Sequence, residues 1–147
     1  MIRIATIDDV PLILQLIKGI AAYEKLSHQV EATEAKLRNT LFGEKRYADV
    51  ILAFDEDKPV GFALFFMNYS TFKAMPGIYL EDLFVEPEQR GKGFGKSLLN
   101  EVINIAKQRN CGRVEWSVLD WNAPAIAFYK SMGAEPMDEW TTFRITL

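Results

Sequence analysis

Three glycines at alternate positions, Gly91, Gly93 and Gly95, lie between an apolar run and a helical pattern. The apolar run at residues 77–85 predicts a strand, and apolar side chains recur at helical spacing over residues 98–106. A glycine-rich turn between a strand and a helix aims backbone N–H groups and the positive end of the helix dipole at one point. The stretch therefore predicts a strand-turn-helix unit that holds a phosphate group.

The rest of the chain consists of short predicted elements in the order β-α-α-β-β-β-α-β-α-β. Strands are predicted at residues 2–5, 49–54, 60–67 and 77–85, around Val114, Trp116 and Val118, and at residues 140–147. Helices are predicted after Thr6, Thr33, the glycines and Asn122. Hairpins followed by strand-helix crossovers predict an α/β fold with a mixed central sheet and helices on both faces.

Two of these helices have recognisable ends. Thr6 and Asp9 form a capping-box-like pair at the start of the first helix. Asn122 precedes Pro124 as an N-cap would, and Gly133 follows the end of the same helix. Both helices are therefore predicted to begin at these caps.

Length, charge and composition limit the classes of function. The 147 residues fit one domain over 1–147, and a net charge of −3 disfavours a nucleic-acid partner, which would need a basic face. The longest apolar run, residues 60–67, is too short to cross a bilayer, so we expect a cytoplasmic protein with no membrane partner. One cysteine, Cys111, and one histidine, His28, give too few ligands to predict a structural metal site.

Two common nucleotide-binding patterns do not fit the glycine stretch. A P-loop would need a glycine five residues before Gly95, where Arg90 stands, and the dinucleotide fingerprint would need one at Lys96. What remains is the pattern R/Q-x-x-G-x-G/A, filled by Arg90, Gly93 and Gly95. Here the chain resembles the GNAT superfamily of acyl-coenzyme-A-dependent N-acetyltransferases, whose fold has the same element order. The alternative is a tight turn that only caps a helix.

The resemblance implies that acetyl-CoA is the cofactor. Its pyrophosphate would be wrapped by residues of the glycine loop, namely Arg90, Gly91, Lys92, Gly93, Phe94, Gly95 and Lys96. The stretch 119–134 resembles the second cofactor segment of the superfamily, which would place the pantetheine arm at Asn122, Ala123, Pro124 and Ala125 and the sulfur near Tyr129. The alternative for this segment is an N-cap at Asn122 and a core residue at Tyr129, and for Asn122 both hold together.

The strand before the loop contains two adjacent acids, Glu81 and Asp82. Successive strand residues point to opposite faces, so these two are predicted to lie on different faces of the sheet. One of them then faces the buried or cleft side, where an unpartnered carboxylate is costly unless it has a function.

The chain resembles one group within the superfamily over nearly its whole length. Ala22-Tyr23-Glu24, Tyr79-Leu80-Glu81-Asp82, Arg90-Gly91 and Trp121-Asn122-x-Pro124 are similar to the diamine (spermidine/spermine) and thialysine acetyltransferases. The resemblance implies a homodimer and an amine site that contains Tyr23, Glu24, Glu81, Asp82, Glu115, Trp116 and Ser117. Thr71 and Lys73 depart from the polyamine enzymes, which have an acid and an aromatic residue there. The C-terminal segment 136–140 is also shorter, and we assign Asp138 to the amine site within it.

These residues predict an N-acetyltransferase that acts on a small cationic amine by direct attack on the thioester. Glu81 is the candidate base, acting through a water molecule, because an alkylammonium has to lose a proton before it attacks. The N–H groups of Leu83, Phe84 and Val85 are predicted to hold the cofactor arm and polarise the carbonyl, and Tyr129 to protonate the departing thiolate. The alternatives are a coenzyme-A-binding regulatory module and a protein N-acetyltransferase.

Overall fold

A computed structural model describes residues 1–147, which form two units, Met1–Ser117 and Val118–Leu147. The first unit contains all of the strands and three of the α-helices. In chain order its elements are β1 (Ile2–Ile4), α1 (Val10–Tyr23), α2 (Glu34–Leu41), β2 (Asp49–Asp55), β3 (Lys58–Ser70), β4 (Met75–Val85), α3 (Phe94–Gln108) and β5 (Val114–Trp116). The second unit contains α4 (Ala123–Ser131).

The five strands form one sheet in the order β1-β2-β3-β4-β5. The first four strands are antiparallel neighbours, and β5 runs parallel to β4 because the chain crosses back through α3. The β2–β3 hairpin turns at Glu56, whose φ of +52° lies in the left-handed region. The predicted mixed sheet is confirmed.

The sheet buries apolar side chains on both faces. Side chains along β2 and β3 alternate between the two faces of the sheet. On one face Val50, Leu52 and Phe62 form a cluster with α1 and α2. The α1 residues Ile13 and Leu16 are buried in this cluster. On α3 the buried residues are Leu98, Leu99, Val102 and Ala106, and this helix contacts β2, β3 and β4. No helix combines the length and the apolar character needed to span a membrane.

The predicted pair Thr6 and Asp9 caps the chain ahead of α1, at a one-turn 3-10 helix over Ile7–Asp9. The Asp9 carboxylate accepts a hydrogen bond from the Thr6 backbone N–H at 2.7 Å and forms a two-bond ion pair with Arg3 at 2.7 and 2.8 Å. The hydrogen bonds from Arg3 are the main reason that the pKa of Asp9 falls to about 2. These contacts fix the entry of the chain into α1.

The caps predicted for α4 are confirmed. The Asn122 side-chain oxygen accepts from the Ala125 N–H at 3.3 Å, and Gly133 has a φ of +89°, as the residue after a helix often does. The N–H groups of Gly133 and Ala134 donate to the carbonyls of Lys130 and Tyr129 at 3.0 and 3.1 Å. This pattern of paired bonds closes the helix.

The strand predicted at residues 140–147 does not form. Phe143, Ile145 and Leu147 alternate with polar residues as in a half-buried strand, but they are almost fully exposed, and no other strand pairs with this segment. Alternation sets which side of a strand is apolar, whereas a stable strand also needs a hydrogen-bonding neighbour. Val118, predicted as part of the fifth strand, lies beyond the end of β5.

Candidate active site

A β-bulge at Glu81 breaks the alternation along β4. Leu80 pairs with Phe65 and Asp82 pairs with Leu64, so Glu81 has no opposite residue in β3. Paired residues share a face of the sheet, and the extra residue therefore moves Asp82 to the face of α1, together with Leu64. The prediction that one of the two acids faces the buried side is confirmed, and the bulge decides which of them it is. Asp82 is the partly buried one, and Glu81 is exposed.

Three carboxylates, Glu24 at the end of α1 with Glu81 and Asp82 on β4, interact electrostatically, and we call them the acidic cluster. The pKa of Asp82 is raised to about 7, first by burial and then by the nearby charges of Glu81 and Glu24. The pKa of Glu24 is also raised, first by burial and then by the charge of Glu81. Such a cluster is suited to hold a cation, which would relieve the repulsion among the carboxylates.

Next to the bulge, β4 has an open edge. The strand pairs with β5 only from Ile78 to Leu80, opposite Val114 to Trp116. From Glu81 to Val85 its one strand neighbour is β3, on the other side. The predicted cofactor-arm residues Leu83, Phe84 and Val85 lie in this segment, so strand-like pairing with a ligand is available there.

The glycine loop leads from β4 into α3. Gly91 and Gly93 have φ values of +78° and +90°, and a Cβ at either position would meet nothing within 4 Å. These glycines are needed for their backbone conformation, and the space beside them is open. The first intrahelical bond of α3 joins the Ser97 N–H to the Gly93 carbonyl at 3.0 Å, so the N–H groups of residues 94–96 precede the helical ladder. This geometry suits an anion.

The flanks of the loop are held by side chains. The Arg90 Nε–H donates to the Val85 carbonyl at 2.9 Å, and its guanidinium lies 4.4 Å from the centroid of the Tyr23 ring. The Lys92 ammonium donates to the Gln89 side-chain oxygen at 2.8 Å, and Gln89 is buried. The contact between Arg90 and Tyr23 was not predicted from the sequence, because no local pattern links the loop to the end of α1.

The other predicted amine-site residues of the first unit lie on and beside β5. The Glu115 carboxylate forms an ion pair with Arg113 at 2.8 Å, and Trp116 ends the strand. The Ser117 hydroxyl and the Tyr79 hydroxyl lie 2.7 Å apart in a hydrogen bond. Glu115 is thus already partnered, unlike the mutually repelling acids of the acidic cluster.

The turn between β3 and β4 contains the two residues that depart from the polyamine enzymes. Thr71 and Lys73 are both exposed, and the Lys73 ammonium donates to the Gly112 carbonyl at 3.1 Å. The cation of Lys73 is therefore engaged by a backbone acceptor near the start of β5.

The second unit contains the remaining predicted residues. Asn122 is buried and caps α4, while Ala123, Pro124 and Ala125 form its first turn. Tyr129 lies in the last half of the same helix, with its ring centroid 5.4 Å from that of Phe128. Asp138 lies in an exposed turn after the helix. The roles given to these residues stay predictions.

The chain is similar in sequence to known acetyltransferases. The model of the acetyltransferase (GNAT) family matches residues 16–134. The chain is 40% identical to a thialysine N-epsilon-acetyltransferase of Bos taurus, over 98% of this chain and 91% of that protein. It is 36% identical to L-ornithine N5-acetyltransferase NATA1 of Arabidopsis thaliana, over 99% and 83% of the two chains.

Solved structures share the fold. An integron cassette protein from V. cholerae is 30% identical, with a TM-score of 0.79 over 99% of this chain and 91% of that one. An aminoglycoside acetyltransferase from a soil metagenome, solved with sisomicin, has a TM-score of 0.83 over 100% and 95% of the two chains. Its identity of 22% makes it a likeness of fold alone.

Proposed function

Because this chain belongs to the acetyltransferase (GNAT) family and is an acetyl-transferring enzyme, we propose that it moves an acetyl group from acetyl-CoA to a primary amine of a small cationic substrate. The observation that carries this proposal is the acidic cluster, which the contact of Arg90 with Tyr23 links to the glycine loop. The substrates we propose are diamines, polyamines and amino acids of the thialysine kind. Relatives named for thialysine and for ornithine support this class.

The acidic cluster favours a substrate with a second charged group. The reacting nitrogen has to give up its proton before it attacks, so its own positive charge is lost during the reaction. A second ammonium or an amino-acid head keeps its charge throughout. Carboxylates in a partly dehydrated site form charge-assisted hydrogen bonds with such a group, and these are stronger than bonds between neutral partners.

The chain offers two features that fit acetyl-CoA. The open edge of β4 presents the N–H groups of Leu83 and Val85, which would pair with the amides of the pantetheine arm, whereas Phe84 between them is hydrogen-bonded to β3. The N-terminus of α3 and the open space beside Gly91 and Gly93 would receive the pyrophosphate. When bound, acetyl-CoA supplies the acetyl group as a thioester that is open to nucleophilic attack.

The proposed reaction needs one proton acceptor and one proton donor. An alkylammonium has a pKa of about 10.4, and Glu81 accepts its proton through a water molecule in our proposal. Asp82, with a pKa of about 7, is a second acceptor suited to neutral pH. The neutral nitrogen would then bond to the thioester carbonyl carbon as the carbon-sulfur bond breaks. Tyr129 would give its phenolic proton to the sulfur, and the second proton lost by the nitrogen would return through water to the Tyr129 phenolate.

We propose one catalytic domain over residues 1–147. The family match at residues 16–134 runs through both units of the chain, which supports a shared function. The homodimer implied by the family resemblance stays a prediction, and light scattering on the purified protein would test it.

A thiol-release assay over a panel of amines tests the proposed function. With acetyl-CoA as donor, we expect activity on short diamines, spermidine and thialysine, and much weaker activity on butylamine, which has no second charge. Equal activity on butylamine, or activity only on a peptide, would contradict the substrate class. An absence of thiol release with every amine, together with tight coenzyme binding, would favour the regulatory module instead.

Replacing Glu24 by glutamine should weaken the preferred substrate specifically. The change removes one charge from the acidic cluster but keeps the size of the side chain. A hydrogen bond to a charged group is worth about 1.5–3 kcal/mol, so kcat/KM for the best diamine should fall roughly ten- to a hundredfold. Glu44→Gln, on an exposed loop residue, is the matched control and should leave kcat/KM unchanged.

The raised pKa of Asp82 predicts a pH dependence of amine binding. Below about pH 7 Asp82 is protonated and neutral, and above it the carboxylate is charged, so KM for a cationic amine should fall between pH 6 and pH 8. Asp82→Asn should lose this fall and keep a high KM across the range. A pH profile of KM that is the same in both proteins would contradict the role of Asp82.

The melting temperature of Asp82→Asn gives a second test of the raised pKa of Asp82. A carboxyl group whose pKa is raised on folding destabilises the native state as pH rises above the unfolded value of about 3.9. The penalty grows until the pH passes about 7. Asp82→Asn should therefore have a higher Tm than the native protein at pH 8, with a smaller difference at pH 5.

A further inference from the structure

The side chain of Arg90 is directed at α1, although its backbone belongs to the glycine loop. Its Nε–H is engaged by the Val85 carbonyl at 2.9 Å, which fixes the guanidinium beside the end of β4. The guanidinium carbon Cζ lies 4.4 Å from the ring centroid of Tyr23 and 5.7 Å from that of Phe84. The guanidinium thus links the end of β4 to the last residue of α1.

The middle of α1 is held against β4 by packing. A Cβ at Gly19 would lie 2.9 Å from the Phe84 ring, so the helix approaches that ring as closely as a residue without a side chain allows. The same Phe84 ring lies beneath Arg90. Helix, ring and guanidinium therefore form one contiguous contact.

The C-terminal end of α1 combines like-charge repulsion with an unfavourable backbone conformation. Glu24 follows the helix and is repelled by Glu81, which contributes to its raised pKa. The next residue, Lys25, has a φ of +62°, a conformation that is unfavourable for residues other than glycine. The guanidinium that lies over the ring of Tyr23, directly before these two residues, holds this end of the helix close to β4.

We propose that Arg90 is a positioning residue for the amine site: its guanidinium holds Tyr23, and through it Glu24, in the place that the amine requires. Its backbone N–H is already engaged, since it donates to the Pro87 carbonyl at 3.3 Å. The role rests on the proposed function, because Tyr23 and Glu24 matter here only as the border of an amine site. It assigns the side chain of Arg90 to the amine and leaves the coenzyme to the N–H groups at the start of α3.

The variant Arg90→Lys distinguishes this role from direct binding of phosphate. Lysine keeps the positive charge but lacks the planar face and the Nε–H that contact Tyr23 and Val85. We expect KM for the amine to rise about 3- to 30-fold, the range of a stacked cation on an aromatic ring. The affinity for coenzyme A, measured by calorimetry, should stay within about twofold. A loss of coenzyme affinity with an unchanged amine KM would overturn the proposal.

A double-mutant cycle tests whether Arg90 acts through Tyr23. Tyr23→Leu removes the ring, and Tyr23→Phe keeps it as the matched control. Arg90→Lys should raise the amine KM by the full factor in the Tyr23→Phe protein and by less than about twofold in the Tyr23→Leu protein. Equal factors in both backgrounds would show that the two residues act separately and would overturn the proposal.

The outcomes also separate this role from the proposed function. Native protein that acetylates cationic amines, with an amine KM insensitive to Arg90→Lys, defeats only the positioning role. Native protein that transfers acetyl groups to no amine defeats both. Thermal unfolding of each variant checks that the exposed Arg90 and the half-buried Tyr23 can be changed in a folded chain.

Discussion

Replacing Gly93 by aspartate should abolish acetyl-CoA binding in a protein that still folds. Gly93 is the N-cap of α3 and has a φ of +90°, so any side chain there adds strain of about 1–2 kcal/mol. The new carboxylate would meet no clash, because the space beside the residue is open. Aspartate is also a favoured N-cap and interacts well with the positive end of a helix, which limits the loss of stability.

The same carboxylate would defeat coenzyme binding. It would accept hydrogen bonds from the first N–H groups of α3 and place a negative charge where the pyrophosphate is proposed to bind. We expect the affinity for acetyl-CoA in calorimetry to fall by more than about a hundredfold, since both the N–H groups and the favourable potential are lost. Unchanged affinity in a folded Gly93→Asp protein would show that the coenzyme loop is wrongly assigned.

Gly93→Asn is the matched control for this experiment. Asparagine has nearly the same size, tolerates a positive φ and also caps helices, but has no charge. Its coenzyme affinity should lie between those of the native protein and Gly93→Asp. The difference between the two variants then measures the contribution of charge.

The elements that local chemistry defines could be predicted from the sequence. The helix α1 follows Thr6 and Asp9, and α4 begins after Asn122 and ends before Gly133, because a cap acts within a few residues of itself. The same holds for the β2–β3 hairpin, where a polar turn separates two apolar runs. In these segments the neighbouring residues contain all the information that the backbone needs.

The bulge at Glu81 could not be predicted in the same way. It is a mismatch between two strands, and its position depends on how Leu64 and Phe65 of β3 align with β4. The sequence gives one signal, two adjacent acids inside an apolar strand. That signal indicates an exceptional site but does not tell which acid becomes buried, and burial is what raises the pKa of Asp82.

The acidic cluster joins parts of the chain that are distant in sequence. Glu24 lies at the end of the first long helix, and Glu81 and Asp82 lie on the fourth strand. Composition and periodicity predicted both elements, but only the family resemblance brought these acids into one site before the structure did. Neither composition nor periodicity predicts the stacking of Arg90 on Tyr23, because this contact depends on how closely α1 packs on β4.

Replacing Tyr129 by phenylalanine should lower turnover strongly and leave acetyl-CoA affinity nearly intact. The change removes only the phenolic hydroxyl, and the ring can still pack beside Phe128 on α4. A thiolate that leaves without a proton donor is a poorer leaving group, and general acid catalysis typically contributes about 10²- to 10⁴-fold. The single-turnover rate of acetyl transfer should fall by a factor in this range.

Tyr47→Phe is the matched control, since it removes the same hydroxyl from an exposed residue that lies between α2 and β2. It should change neither the single-turnover rate nor the coenzyme affinity. If both variants transfer acetyl groups at the native rate while chemistry limits turnover, Tyr129 is a packing residue of α4 and the sulfur is protonated by another group or by water. If Tyr129→Phe instead weakens coenzyme affinity with an unchanged rate, the hydroxyl binds the cofactor and does not act as the acid.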